Sequence, residues 1–216
     1  MSGGWLTFDC FGTIVDWRHG IRTTCDLLFP ERGADLLDAF NRHEPEVQSE
    51  QPFRRYREVL REALRRSAQE SELELKPDDE DALATTLPYW PVFSDASAAL
   101  QSCREQGWRL AVLTNCDRDL MALTLRRLPP LFELVVTAED VQSYKPAPAH
   151  FLRFQEVVRP EPGGWTHVAQ SMFHDIGAVT ALGIPAIWVN RLQEEAPDGL
   201  ATSTIRGLDE LPEVVQ

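Results

Sequence analysis

Asp9 closes a short apolar run, Trp5-Leu6-Thr7-Phe8, and opens the turn Cys10-Phe11-Gly12-Thr13. A carboxylate at the end of a buried strand is a candidate nucleophile, because covalent attack splits one hard displacement into two easier steps. Three further strand ends carry polar groups. Thr114-Asn115 follows Leu110-Ala111-Val112-Leu113, Tyr144-Lys145-Pro146 lies beyond Leu134–Val136, and Gln170-Ser171-Met172-Phe173-His174-Asp175 follows Thr166–Ala169. Ligands of open α/β sheets bind at the carboxyl ends of strands, so Asp9, Thr114, Asn115, Lys145 and Asp175 are expected to converge in one crevice. Phe11 is as informative as the acids. A leaving alkoxide needs a proton from a nearby acid, and a phenyl ring has none to give. A nucleophilic Asp9 is therefore expected to work on a leaving group that departs unaided, as a halide ion does.

The elements that must hold these residues are legible in the hydrophobic pattern. Trp5–Phe8, Arg109–Leu113, Leu134–Val136, Thr166–Ala169 and Ala186–Val189 read as buried strands. Ser94–Gln106, Arg118–Leu128, Ala149–Val157 and Ile176–Leu182 read as the helices between them. Alternating strands and helices imply a Rossmann-like α/β fold, a parallel sheet with helices on both faces. Between Asp16 and about Trp90 no strand is evident. Gly20–Phe29 and Ala34–Gln48 look helical, and Phe53, Tyr56, Val59, Leu60, Ala63 and Leu64 share a helical face. This predicts a core domain of residues 1–15 and 92–216, with a helical cap, 16–91, inserted after strand 1. The tail from Glu194 to Gly207 reads as a surface loop, and Leu208–Val215 as a short closing helix.

The chain has 216 residues and a net charge of −13, which disfavours a nucleic-acid partner. No stretch approaches a membrane span, and the first fifteen residues lack the pattern of a secretion signal, so a cytoplasmic location is expected. The four cysteines show no metal or redox spacing. A homodimer would be the ordinary assembly.

The four polar segments, in order and with an early helical insertion, resemble the haloacid dehalogenase superfamily over nearly the whole chain. Phe11, the helical cap and the ending Ile187-Trp188-Val189-Asn190-Arg191 resemble its type II branch, the L-2-haloacid dehalogenases. The resemblance implies no cofactor and no metal, a small carboxylate substrate and a released halide ion. It implies that Asp9 displaces the halogen to form an ester, that Lys145 holds Asp9 ionised, and that Asp175 helps to activate the hydrolytic water. It assigns Thr114, Asn115 and the backbone amides after Asp9, those of Cys10 and Phe11, to the substrate carboxylate, with Thr13 bracing the Asp9 loop. It expects the halide acceptor to be a cap arginine, for which Arg42 is the best match, with Arg54, Arg55 and Arg57 as competitors. Phe11, Trp17 and Tyr56 are expected to form an apolar wall.

The sequence also departs from that family. Gln170, Met172 and His174 stand where Ser, Asn and Trp are usual, and Phe151 where Tyr is usual. His174 either takes over a lost polar role or caps the following helix. Three alternatives share the same residues. One is opening of the strained ring of azetidine-2-carboxylate. Another is magnesium-dependent hydrolysis of a phosphate ester. The third is an inactive chain that binds a metabolite or a protein.

Overall fold

A computed structural model describes residues 4–195 and 199–215. Six strands form one sheet in the order β3-β2-β1-β4-β5-β6, every neighbouring pair parallel. They are β1 (Trp5–Phe8), β2 (Arg109–Thr114), β3 (Phe132–Thr137), β4 (Trp165–Ala169), β5 (Ala186–Val189) and β6 (Ser203–Ile205). Both faces of the sheet carry a core. Leu6, Phe8, Leu110 and Val112 belong to one apolar cluster, whereas Trp5, Ala111 and Leu113 belong to the other. β1, β2, β4 and β5 are buried on both sides and read as continuous apolar runs for that reason. The chain order reverses beside β1, which puts the crevice of the sheet at the carboxyl ends of β1 and β4.

β6 lies inside the segment expected to be a surface loop. It pairs on one side only, with β5, in the register Ile187–Ser203 to Val189–Ile205. Ala196, Pro197 and Asp198 of that segment lie outside the described residues. The chain then closes with a single 3₁₀ turn at Leu208–Glu210 and a short helix at Leu211–Val214.

No named strand interrupts the stretch between β1 and β2. It holds α1 (Trp17–Leu28), α2 (Gly33–Ser49), α3 (Tyr56–Glu70) and α4 (Ala82–Thr86). Asp16 caps α1 by accepting the His19 amide at 3.0 Å. Ile21, Leu36, Phe40, Val59, Leu60 and Leu64 fill the space between these helices and continue one core of the sheet. The remaining helices are α5 (Ala96–Glu105), α6 (Arg118–Leu125), α7 (Ala138–Val141), α8 (Ala149–Val158), α9 (Gly177–Ala181) and α10 (Leu211–Val214).

Asp117, in the turn after β2, ties the sheet to the inserted helices. It is fully buried, and its two oxygens accept the amides of Tyr56 and Arg57 at 2.8 and 3.0 Å. Those amides open α3, where unsatisfied donors and the helix dipole both favour an anion. Arg55 adds bonds to Asp119 and Glu139, and Tyr144 donates its hydroxyl to the Arg54 carbonyl at 2.8 Å. Asp117→Ala should therefore cost about 2–4 kcal/mol, measured by urea unfolding, since it strands two buried donors. An unchanged midpoint would show that the tie contributes nothing.

Candidate active site

The turn after β1 is built to present one carboxylate. Gly12 sits at φ +108°, a conformation that L side chains rarely adopt, and any side chain there would meet Gln170 Oε1 and Trp17 Nε1 at 3.1 Å. Asp9 Oδ2 accepts the Thr13 hydroxyl at 3.0 Å, and that hydroxyl oxygen accepts the Gln170 amide at 2.9 Å. Asp9 Oδ1 accepts Lys145 Nζ at 2.8 Å. The same ammonium donates to the Leu113 carbonyl at 2.9 Å and to Asp175 Oδ1 at 2.7 Å, which uses all three of its protons. Asn115 fixes the loop that delivers it: its side-chain oxygen accepts the Lys145 amide at 2.7 Å, and its Nδ2 donates to the Lys145 carbonyl at 3.1 Å.

Behind Asp175 stands a residue that the sequence alone did not bring forward. His167, in β4, is 3.0 Å from Asp175 Oδ1 through Nε2 and 2.8 Å from the Thr7 hydroxyl through Nδ1. Trp165 Nε1 donates to the same hydroxyl at 2.8 Å. A carboxylate accepts only, so Nε2 carries a proton. Thr7 and His167 face each other across β1 and β4. Phe151 packs edge-on against the ring at 5.2 Å, behind the site rather than in it. Asp175 Oδ1 is thus saturated, whereas the buried Oδ2 has no partner among the described residues.

Two carboxylates share one cation, and they divide unequally. Burial pushes Asp9 above its ordinary pKa; Lys145 draws it back down and Asp175 pushes it further up. Burial acts on Asp175 in the same direction, but Lys145 and His167 outweigh it and hold the carboxyl well below the usual range. For Lys145, burial favours the neutral amine, yet the two carboxylates prevail and its pKa lies above the ordinary lysine value. As pH falls, Asp9 takes the first proton.

Asp9, Lys145 and Asp175 open onto a cavity of about 530 Å³. Phe11, Trp17, Tyr56, Thr114, Asn115 and His174 line it with them. Thr114 Oγ1 is buried without a partner among the described residues. His174 bonds Ser171 Oγ through Nδ1 at 3.1 Å, and burial lowers its pKa. The cap of the π-helical turn Met172–Ile176 is Ser171, which accepts the His174 amide at 3.0 Å, so His174 is not the cap.

Arg42, Cys10 and Thr13 are not among the residues that line the cavity. Arg42 is on the outer face of α2, where its exposed guanidinium donates to the Asp38 carbonyl at 3.0 Å and pairs with Glu70. It does not line the cavity, because α2 turns Asn41, Glu44, Pro45 and Gln48 inward instead. Cys10 is fully buried beside the cavity rather than in its wall, and burial raises its thiol well above the ordinary value. Thr13 is fully buried beneath Asp9 and touches that carboxylate, not the cavity. The competing arginines are occupied as well: Arg54 with Glu50, and Arg55 and Arg57 with Asp119. The arginine that does line the cavity is Arg18, at the start of α1. Its guanidinium lies 5.5 Å from the centroid of the Trp17 ring and makes no ion pair among the described residues. Among those residues no group of three or more His, Cys, Asp or Glu is arranged to hold a metal ion.

The family model of the haloacid dehalogenase-like hydrolases matches residues 5–164. The chain belongs to that family. A haloacid dehalogenase-like hydrolase domain-containing protein 3 from Danio rerio is 34% identical over 131 residues, which cover 59% of this chain and 54% of that protein. The chain thus spans about half the length of that relative. Haloacetate dehalogenase H-2 from Moraxella sp. (strain B) is 22% identical over 194 residues, covering 86% of this chain and 85% of that one. A crystal structure of an L-2-haloacid dehalogenase from Xanthobacter autotrophicus, with chloropropionic acid covalently bound, superposes with a TM-score of 0.86 at 20% identity, over 99% of this chain and 98% of that one. At that identity the likeness establishes the fold. This haloacid dehalogenase-like hydrolase shares its six-stranded parallel architecture with the L-2-haloacid dehalogenases. No described helix is long and apolar enough to cross a membrane.

Proposed function

We propose that this hydrolase removes the halogen from short 2-haloalkanoic acids through an ester on Asp9, giving a 2-hydroxy acid and a halide ion. The observation that carries the proposal is the ammonium of Lys145 bonded to both Asp9 Oδ1 and Asp175 Oδ1, beside a cavity whose wall at Phe11 holds no acid. Lys145 favours the ionised nucleophile and fixes its orientation. The substrate carboxylate is met by the Thr114 hydroxyl and by Arg18, together with the amides of Cys10 and Phe11, which follow Asp9 in the turn. Asp9 then attacks C2 in line with the carbon–halogen bond. Water enters at the carboxyl carbon of Asp9, and Asp175 Oδ2, the one unpaired oxygen of the set, accepts its proton. The cap of residues 16–91 closes the site over a core of 1–15 and 92–216 and keeps bulk water out.

The test is halide release from 2-chloro- and 2-bromopropionate in the presence of a chelator, followed by one turnover in heavy-oxygen water with enzyme in excess. Halide should appear, and heavy oxygen should enter the Asp9 side chain. Label found solely in the released acid would overturn the ester mechanism.

A further inference from the structure

We propose that Glu44, in its neutral form, is the hydrogen-bond donor that receives the departing halide, in the place left open by Arg42, which faces away from the cavity. The inference rests on the ester mechanism just described and specifies its leaving-group side. Glu44 stands on the face of α2 that lines the cavity, with Asn41 and Gln48 at helical spacing from it. Its Oε1 accepts the Tyr56 hydroxyl at 2.8 Å and Gln48 Nε2 at 2.9 Å. Its Oε2 has no hydrogen-bond partner among the described residues. Two donors on one oxygen mark Oε1 as the carbonyl-like atom and leave Oε2 to carry a proton.

The surroundings favour the neutral acid. Burial lifts the Glu44 carboxyl from 4.5 to about 6, against the opposing pull of Tyr56 and Gln48. Tyr56 from α3 and Tyr144 from the loop before Lys145 stay neutral, because burial raises both phenols. On the other walls of the cavity are Arg18, Glu194, Glu195, neutral His174 and the Asp9–Lys145–Asp175 set. An ionised Glu44 would repel a departing anion, whereas a protonated one donates a hydrogen bond to it.

The atoms balance. Asp9 forms a C–O bond to C2, the C–X bond breaks, and X leaves as a halide ion with the bonding pair, hydrogen-bonded by the Oε2 hydroxyl, which keeps its proton. Water then cleaves the ester. One of its protons passes through Asp175 to the product hydroxyl, and the other goes to solvent. Such a site favours leaving groups that accept a hydrogen bond strongly. Fluoride does so far more than bromide.

The experiment compares kcat/KM for 2-fluoro- and 2-bromopropionate in the parent, Glu44→Gln and Glu44→Leu, across pH, with heavy-oxygen labelling of Asp9 run alongside. The parent should lose activity as pH rises through about 6, and Glu44→Gln, which keeps a neutral donor, should lack that limb. Glu44→Leu, which keeps none, should lose about tenfold to 10²-fold on the fluoro acid, against less than about tenfold on the bromo acid. Tyr56→Phe, which removes a donor that favours the ionised form, should move the limb to higher pH. Labelled Asp9 with an unchanged fluoride-to-bromide ratio in Glu44→Leu would overturn the role of Glu44 alone. Unlabelled Asp9 with no halide released would overturn the ester mechanism and this inference with it.

Discussion

Lys145→Met should lower turnover by about 10²–10³-fold, because a nearby cation lowers a carboxylate pKa by about 1–3 units and each unit is a tenfold change in ionised nucleophile. The methionine keeps the stem and removes three donated hydrogen bonds, to Asp9, Asp175 and the Leu113 carbonyl. Two buried carboxylates would then face each other without a cation, and one must take a proton. Asp9 takes it, since it already stands above its ordinary value while His167 still bonds Asp175. The acid limb of the rate profile should accordingly move to higher pH. Breaking a buried ion pair from one side typically costs about 3–5 kcal/mol, and Lys145 is only 1% exposed. The pH window of that cost follows from the directions of the shifts. Lys145 has a raised pKa, so its contribution is complete below the ordinary 10.5 and disappears as pH rises through the folded value. Asp175 has a lowered one, so its contribution is complete above the ordinary 3.8 and disappears as pH falls through the folded value. Denaturant midpoints of parent and variant should differ most between those limits and converge beyond them. A variant with an unmoved acid limb would mean that Lys145 does not govern the ionisation of Asp9.

How much of this was legible in the sequence depended on whether a residue's neighbours were local. Four strands, β1, β2, β4 and β5, are buried on both faces, and burial of that kind writes itself into composition. β6 did not, because Ser203-Thr204-Ile205 is a short edge strand whose pairing with β5 is its one strong reason to be extended. Asp9, Lys145 and Asp175 were readable from their places at strand ends, since topology alone brings those ends together. The cap side was not, because it turns on which face of α2 looks inward. Consecutive residues on a helix are about 100° apart, so taking Arg42 rather than Asn41 as the inward position was enough to aim a guanidinium at solvent. The signal that could have corrected it was present: Phe40 and Val47 mark the buried side, and Asn41, Glu44 and Gln48 border it. His167 offered a fainter signal, a polar side chain inside an apolar strand, which is more often a satisfied core histidine. Here it is satisfied by Asp175, and that is how it takes part in the site.

Asp175→Asn should separate the two halves of the reaction. Asparagine keeps the shape of the side chain, and its oxygen can still accept from Lys145 and His167, as Asp175 Oδ1 does now. The first step should survive. Asp175 raises the pKa of Asp9, so removing its charge leaves Asp9 ionised over a wider range and still held by Lys145 and Thr13. The second step loses its base, because an amide nitrogen replaces the unpaired Oδ2. Loss of a general base is typically worth about 10²–10⁴-fold, and here all of it falls on hydrolysis of the ester. Halide should therefore appear in a burst of about one equivalent per enzyme, followed by slow turnover. Mass spectrometry of the protein after the burst should show the acid joined to the peptide that contains Asp9. Slow halide release from the first turnover onward, with no adduct, would place Asp175 in formation of the ester rather than in its breakdown. In that case the buried Oδ2 would have to be counted as a structural orphan.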